Sequence, residues 1–559
     1  MLVKNKDGVK NSTLTSIFYK SVEQLYAGST WYKITLKDNQ DTEEAVKALA
    51  ATEHFEEVDY DYIMKADGEV QSIDISGNSY APNPEHLNKL AVQDAWQYAL
   101  DNDSPAGGSP DVIVAVIDTG VDYNHEDLRN NIWTNPGEIP NNGRDDDGNG
   151  YVDDVYGWDC VGNDKDPMDD NGHGTHVAGI VAAENNNIGT VGVAFNCKVM
   201  VLKAGNSSGY FNNSDVVEAI QYAYMNGASV INMSFGGYAI SIPVQDALMD
   251  AYNQCVLVAA AGNDSAYIPQ DVFYPAALPY VIGVMSCDNS GEYQSSFSNW
   301  DPINHNSQEY EVYAPGEAIP STWPGNKYAK LNGTSMAAPV VAGVAALLRS
   351  YYSDREVYAN KFIQSQIVNT GTQHPETPMG PAKQTVVEAY LAIATSPKPE
   401  TYLYEAYIFD NVEFSDKNNG NGIIDAGETI RVGIELMNYG GVASNVVATL
   451  DTFRNGDSNL FDPFFEITKS QITMSDIGTY SVRNSGLIYD NDMIVGVENY
   501  FEFVVAQNCP NDYKCDFNVN FSYTNGLDEE DTTLYSNKDV FTISGRGTVA
   551  TGRVERGVA

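Results

Sequence analysis

A chain of 559 residues is too long for a single hydrophobic core, so roughly two to four domains are expected, with three preferred. An apolar fraction of 43% and a charged fraction of 19% describe globular rather than disordered protein. With 76 acidic residues against 31 basic ones the formal net charge is −45, which argues against nucleic acid or an anionic membrane as partner and favours cation binding.

Residues 31–64 read as an alternating strand, an acid-started helix with Val46, Leu49 and Ala50 on one side, and a second strand. This small α+β module is assigned to residues 1–66, and the polar, Pro-containing stretch 67–84 to a linker. From 85 to 396 short apolar runs ("VIVAVID", "KVMVLKA", "SVINMSF", "CVLVAAAGN", "YVIGVMS") alternate with helical patterns. Such runs predict an α/β domain whose parallel sheet is covered on both faces. After a Pro-bearing linker near 397, alternating stretches such as "TIRVGIELMNYG" and "DFNVNFSYTNG" predict an all-β sandwich to residue 559. No run approaches the ~18–20 apolar residues of a membrane span, and residues 1–20 hold no apolar run of a leader. Cys160, Cys197, Cys255 and Cys287 are expected as buried thiols; Cys509 and Cys515 flank a short polar loop and are candidates for a local disulfide.

Chemistry concentrates in three segments: "VIVAVIDTGVDYNHEDL" with Asp118, "NGHGTHVAGIVAA" with His173, and "LNGTSMAAPVVAGVAALL" with Ser335. A hydroxyl becomes a nucleophile when a base removes its proton, and the base needs a third group to fix its tautomer. Asp118 and Asn263 fall at strand ends, where open parallel sheets place their sites. The "DTG" alone would also suit an aspartic protease, but a second copy is absent. His176 forms an i, i+3 pair with His173, yet no third ligand at zinc-like spacing follows.

The acidic stretch "DDDGNGYVDD" has its own logic. Asp145, Asp147 and Asn149, then Gly150, the Tyr151 carbonyl and Asp153, match positions 1, 3, 5, 6, 7 and 9 of an EF-hand-type Ca²⁺ loop. Position 12 would be Tyr156, which is no ligand, with Asp154 a substitute. In "DKNNGNGIIDAGE", Asn419, Asn421, Gly422, Asp425 and Glu428 match positions 3, 5, 6, 9 and 12, but Lys417 stands at position 1 and Asp416 one residue early.

Taken together, the Asp, His and Ser segments resemble the subtilisin-like serine proteases, over roughly residues 85–396. The resemblance implies Ser335 as nucleophile, His173 as general base and later acid, Asp118 as orienting carboxylate and Asn263 as oxyanion donor. It also implies a peptide lying as a strand between "SGYF" (Ser208, Gly209, Tyr210, Phe211) and "SFGG" (Ser234, Phe235, Gly236, Gly237). Beside the cut, Asp264 would favour a basic side chain, whereas Phe273 would fill the pocket floor, and the two cues conflict. A second Ca²⁺ site is implied at Asp127 and Asn186 with the carbonyls of Glu184, Ile188 and Thr190. Residues 1–66 are similar to the propeptides of this family, which inhibit until cleaved, here within 65–84.

The expectation is therefore a secreted or cell-surface, Ca²⁺-stabilised serine endopeptidase in zymogen form, monomeric, acting on peptide or protein substrates and inhibited by its own propeptide. Two alternatives stand beside it. One is a dedicated processing protease with a narrow substrate; the other is an inert calcium-binding surface or adhesion module on a protease fold.

Overall fold

A computed structural model of the chain describes residues 1–5, 19–26, 28–38, 40–51, 55–66, 68–74, 85–268, 270–302, 309–355, 358–395, 398–399, 401–421, 424–438, 440–453, 462–479, 481–490, 493–510, 514–526 and 533–544. Two compact units result, Met1–Thr395 and Ser396–Ala559. Most of the linker 67–84 and Gly422 lie outside the described residues.

The first unit is built on a seven-stranded sheet. Its order is Val312–Pro315, Ile282–Cys287, Val256–Ala260, Val230–Met233, Ile113–Asp118, Lys198–Lys203 and Gly157–Asp159, with every neighbour parallel. The five apolar runs of the sequence form its middle; Gly157–Asp159 and Val312–Pro315 are the added edges. The helix Thr334–Tyr351 is buried from Thr334 to Arg349 and packs on several of these strands and on the helix His173–Ala182. A helix apolar all round belongs in such an interior position.

At the N-terminal end, four antiparallel strands stand in the order Tyr19–Gln24, Trp31–Leu36, Leu2–Asn5, Phe55–Asp59. The sequence reading had the flanking strands but not Leu2–Asn5, which pairs between them. The helix Thr42–Ala50 is capped by Asp41, which accepts from Glu44 N–H. It buries Ala45 and Leu49, with Val46 partly covered and Ala50 exposed rather than facing inward. This sheet rests on two helix starts. Asp61 accepts from Ser214 N–H at 2.9 Å at the head of Asn213–Met225, and Asp59 from Ile242 N–H at 3.1 Å at the head of Ile242–Tyr252. Carboxylates at helix N-termini satisfy orphan donors and meet the positive end of the dipole. Lys4 and Trp31 both reach Asp246, at 2.9 and 3.1 Å.

The second unit is all-β. One sheet runs Thr401–Phe409, Thr429–Asn438, Phe501–Val505, Phe465–Lys469, with Ser481–Asn484 also paired to Thr429–Asn438. The other runs Gln471–Met474, Ala443–Phe453, Lys514–Asn525, Tyr535–Ser544. Alternate residues Ile430, Val432, Ile434 and Leu436 share one core with Ala448, Leu450, Phe517 and Val519, as a sandwich requires. No bridge joins Cys509 and Cys515: the Cys509 thiol donates to the Pro510 carbonyl, while Cys515 points into this core. Cys160, Cys197, Cys255 and Cys287 are buried thiols. Among the described residues no helix is long and apolar enough to cross a membrane.

Candidate active site

Asp118 ends the strand Ile113–Asp118 and is fully buried. Its Oδ1 accepts from Thr119 N–H at 2.8 Å and from His173 Nδ1 at 2.7 Å. A carboxylate can only accept, so Nδ1 carries the proton and Nε2 is left as the basic nitrogen of the neutral ring. His173 opens the helix His173–Ala182. Its approach to Asp118 requires glycine at 174, where a Cβ would stand 2.1 Å from the Gly120 carbonyl and 2.9 Å from Asp118 Cβ.

Ser335 is the second residue of the helix Thr334–Tyr351, also fully buried. Its hydroxyl donates to the Ser234 carbonyl at 2.8 Å, and the Ser234 hydroxyl donates to the Ser335 carbonyl at 3.0 Å. Asn263 Oδ1 accepts from Thr334 N–H at 2.8 Å and Thr334 Oγ1 at 2.9 Å. A backbone N–H can only donate, so this contact identifies the facing atom as oxygen and places the NH₂ end on the other side of the amide. Asn263, His173, Gly333 and Gly209 line one cleft of about 480 Å³.

One organising residue escaped the sequence reading. Asp169, 7% exposed, accepts from the N–H groups of Asn171, Gly172 and Thr175 and from the hydroxyls of Thr119 and Thr175, at 2.6–3.0 Å. Burial pushes its carboxyl up, and these donors oppose the shift. It thereby ties the loop after Asp118 to the start of the His173 helix. An acid four residues ahead of the histidine, just before a helix, was the available signal. His176 turns away, its Nε2 donating to the Ala329 carbonyl at 3.1 Å.

The two edges Tyr210–Asn212 and Phe235–Gly236 do flank a strand, and that strand is the chain's own Ile63–Ala66. Tyr210 pairs with Lys65, Phe211 with Met64 and Phe235 with Ala66, antiparallel on both sides; Ala66 N–H donates to the Gly209 carbonyl at 2.9 Å. Ser208 N–H is held by Asn206 Oδ1 at 2.9 Å, and the Phe211 and Phe235 rings stack at 4.2 Å. Beyond them Gly68 lies against His173: a Cβ on it would stand 3.1 Å from Cδ2 and 3.3 Å from Nε2. The backbone then continues as Glu69–Asp74, antiparallel to Lys327–Asn332. Phe273 packs against both backbone walls beside this path, since a Cβ on Gly236 or Gly262 would come within 2.3 or 3.1 Å of its ring. Tyr238 stands edge-on to Phe273 at 5.1 Å and donates its hydroxyl to Asp264 at 2.7 Å.

The acidic loops differ in how far they gather. Asp145 Oδ1 and Oδ2 accept from Gly148 and Gly150 N–H, and Asp147 from Asn149 N–H and Asn135. Tyr151 N–H donates to Asn149 Oδ1. Asp153 is turned to Lys165 at 3.0 Å, and Asp154 to the Tyr222 hydroxyl, Asn135 and Asn149. At Asp127, Oδ2 accepts from Thr190 N–H at 3.0 Å, whereas Oδ1 is buried with no hydrogen-bond partner among the described residues. Burial lifts this carboxyl to about 7, against the Thr190 N–H, which favours its charged form. Glu184 N–H donates to the Asp127 carbonyl and Ile188 N–H to Asn186 Oδ1. In the second unit, Asn419 and Asn421 both donate to Asp425, and the Glu428 carboxylate accepts from the N–H groups of Asn419 and Asp425.

Residues 109–389 match the family model of the subtilase family. A thermophilic serine proteinase of Bacillus sp. (strain AK1) is 37% identical over 310 residues, 55% of this chain and 66% of that protein. Subtilisin DY of Bacillus licheniformis is 41% identical over 243 residues, 43% of this chain and 77% of its own. Thermitase of Thermoactinomyces vulgaris is 36% identical over 280 residues, 48% and 86% respectively.

Burial pulls the imidazoles of His86 and His176 from 6.5 down to about 3. Each therefore binds a proton on unfolding that it does not hold when folded. Their contribution to stability is full above pH 6.5 and is lost as pH falls toward 3, at about 1.4 kcal/mol per pH unit for each. Calorimetry from pH 7 to 4 should show His176→Gln losing less stability than the parent over that window; parallel curves would refute the assignment.

Proposed function

The chain belongs to the subtilase family of serine proteases, and from that premise we propose that it is a peptide-bond hydrolase working through Ser335, His173 and Asp118, held latent by its own N-terminal module. The observation that carries this reading is the strand Ile63–Ala66, which lies in the groove as a peptide substrate would and leads into Gly68 against His173. The mechanism requires the Ser335 hydroxyl to leave the Ser234 carbonyl and donate to His173 Nε2. The imidazole takes the hydroxyl proton as Oγ attacks the carbonyl carbon, and Asp118 stabilises the imidazolium. The tetrahedral oxygen accepts from Ser335 N–H and the Asn263 NH₂. Its collapse breaks the C–N bond while His173 gives the proton to the leaving amine; water then hydrolyses the acyl-enzyme by the same route.

Main-chain pairing on both edges serves many sequences, which favours a broad endopeptidase over a narrow processing enzyme. All the reacting groups come from one chain, consistent with a monomer. Mass spectrometry should find the active protein cut between Ala66 and Glu69, and Ser335→Ala intact. A fluorophosphonate should label the active chain and leave Ser335→Ala unlabelled. Equal loss of the module from both chains, or no label on either, would sink the reading, the latter in favour of an inert protease fold.

In this proposal Phe273 rather than Asp264 sets the preference beside the cut, supported by its position against both backbone walls. Its ring occupies the space between residues 234–236 and 261–263, and Tyr238 already bonds the Asp264 carboxylate. Cleavage after small residues follows, with neither a large nor a basic side chain preferred. Phe273→Gly should raise kcat/KM for a substrate with Phe before the cut by about tenfold or more relative to Ala; an unchanged ratio would refute it.

Calcium belongs to the same proposal. The proposed ligands are of the hard-oxygen kind: Asp145, Asp147, Asn149 and the Tyr151 carbonyl; Asp127 and Asn186 with the carbonyls of Glu184, Ile188 and Thr190; and Asn419, Asn421, Asp425 and Glu428, with Asp145 and Asp147 the pair whose carboxylates the fold brings together. The buried orphan Oδ1 of Asp127 calls for a positive partner. Bound ions would brace these loops and offset part of the −45 charge. Loops of this kind fill where Ca²⁺ is plentiful, which favours a secreted enzyme. A chelator should lower Tm by roughly 5 °C or more; no shift would remove calcium from this account.

A further inference from the structure

One buried carboxylate has no part in anything above. Glu138 lies in the turn that precedes the acidic loop and is only 8% exposed. Its Oε1 accepts from Asp146 N–H at 2.7 Å, while Oε2 is buried with no hydrogen-bond partner among the described residues. A carboxylate oxygen kept from water without a donor is costly unless a cation meets it. Glu138, Asp145 and Asp147 each bring a carboxylate oxygen within 4.8 Å of the others. Two oxygens bound to one Ca²⁺ at about 2.4 Å each can stand at most about 4.8 Å apart, so this spacing suits ligands of a single ion.

We propose that Glu138 completes the Ca²⁺ site of the 145–154 loop, supplying from the preceding turn the carboxylate that Tyr156 cannot offer at position 12; this rests on reading that loop as a calcium site. The alternatives within the loop are engaged. Asp153 holds Lys165 and accepts from Asn142 and Gly143 N–H, and Asp154 holds the Tyr222 hydroxyl. The neighbouring turn is built for close approach, since a Cβ on Gly137 would stand 2.6 Å from Asp147 Cβ. Asp145 and Asp147 are oriented by backbone N–H groups before any ion arrives. Three carboxylates form an all-oxygen set, which suits Ca²⁺ and offers zinc no nitrogen or sulfur. An ion there would join the 135–138 turn to the loop, and through Asp154 and Tyr222 to the helix Asn213–Met225.

The experiment counts bound calcium and measures its affinity calorimetrically on the full chain carrying Ser335→Ala, alone and with Glu138→Gln, Glu138→Asp, Asp145→Asn or Asp153→Asn. Glu138→Gln and Asp145→Asn should each weaken the same ion at least tenfold, Glu138→Asp should weaken it less, and Asp153→Asn should retain it. In chelator, Glu138→Gln should melt no lower than its parent, because it removes an uncompensated charge among like charges; a merely structural glutamate would lower both melts. If Glu138→Gln and Glu138→Asp bind as the parent does while Asp145→Asn does not, the role of Glu138 falls and the loop remains a calcium site. If the parent holds no ion that Asp145→Asn removes, the calcium reading of the loop falls, and Glu138 with it. Should Glu138→Gln fail to fold, Glu138→Asp decides: parental affinity overturns the proposal and weakened affinity supports it.

Discussion

The hydrogen bond from His173 Nδ1 to the buried Asp118 carboxylate, made across 55 positions of sequence, is the contact around which the rest of the site is arranged. It sets the tautomer of the ring and aims Nε2 at the cleft, and it exists only because a parallel strand delivers Asp118 to the carboxyl edge of the sheet. Keeping that carboxylate from water is costly, and Thr119 N–H offsets part of the cost. Gly174 lets the helix come close, and Asp169 holds both chain segments in that relation. Since misplacement of about 1 Å can cost about a hundredfold in rate, this packing matters to the chemistry as much as the reacting atoms do.

The groove illustrates how backbone pairing serves two ends. Strand addition asks little of side chains, so edges that would hold a peptide substrate also hold Ile63–Ala66. Joined to the same chain, that segment would compete with a substrate at high effective concentration. Its hold is reinforced away from the groove, where Asp59 and Asp61 meet the two helix starts and Lys4 meets Asp246. Latency in the proposed enzyme would thus rest on many modest contacts rather than on one blocked residue.

Excess negative charge sets a second constraint. Self-repulsion among 76 acidic side chains weakens a compact state, and the fold answers it locally, with backbone N–H groups at Asp145 and Asp169, a lysine at Asp153 and helix starts at Asp59 and Asp61. Among the described residues, Asp127 Oδ1 and Glu138 Oε2 are buried without such a donor, and both belong to acidic loops. Those are the positions at which a cation has most to contribute.

Much of this was readable in the chain itself. Continuous apolar runs are what a strand buried on both faces requires, so five strands of the central sheet could be read off, and the alternation after residue 397 foretold a two-sheet sandwich. Asp118, His173, Ser335 and Asn263 stood out because their glycine-rich and small-residue surroundings have few other uses. The three-residue strand Gly157–Asp159 and the proline-ended Val312–Pro315 carry too little local pattern to be seen. Sequence alone determined which residue types were available and which elements would carry them, because periodicity and turn chemistry are local. Only the tertiary structure decided that Asp169 would bind the site together, that Phe273 would lie across Gly236 and Gly262, and that Glu138 would turn toward Asp145. The bonds from Asp169 to Thr119 and the packing of Phe273 on Gly236 join distant stretches, and the approach of Glu138 to Asp145 depends on how one turn closes on the next loop; such contacts depend on how whole segments pack rather than on local periodicity.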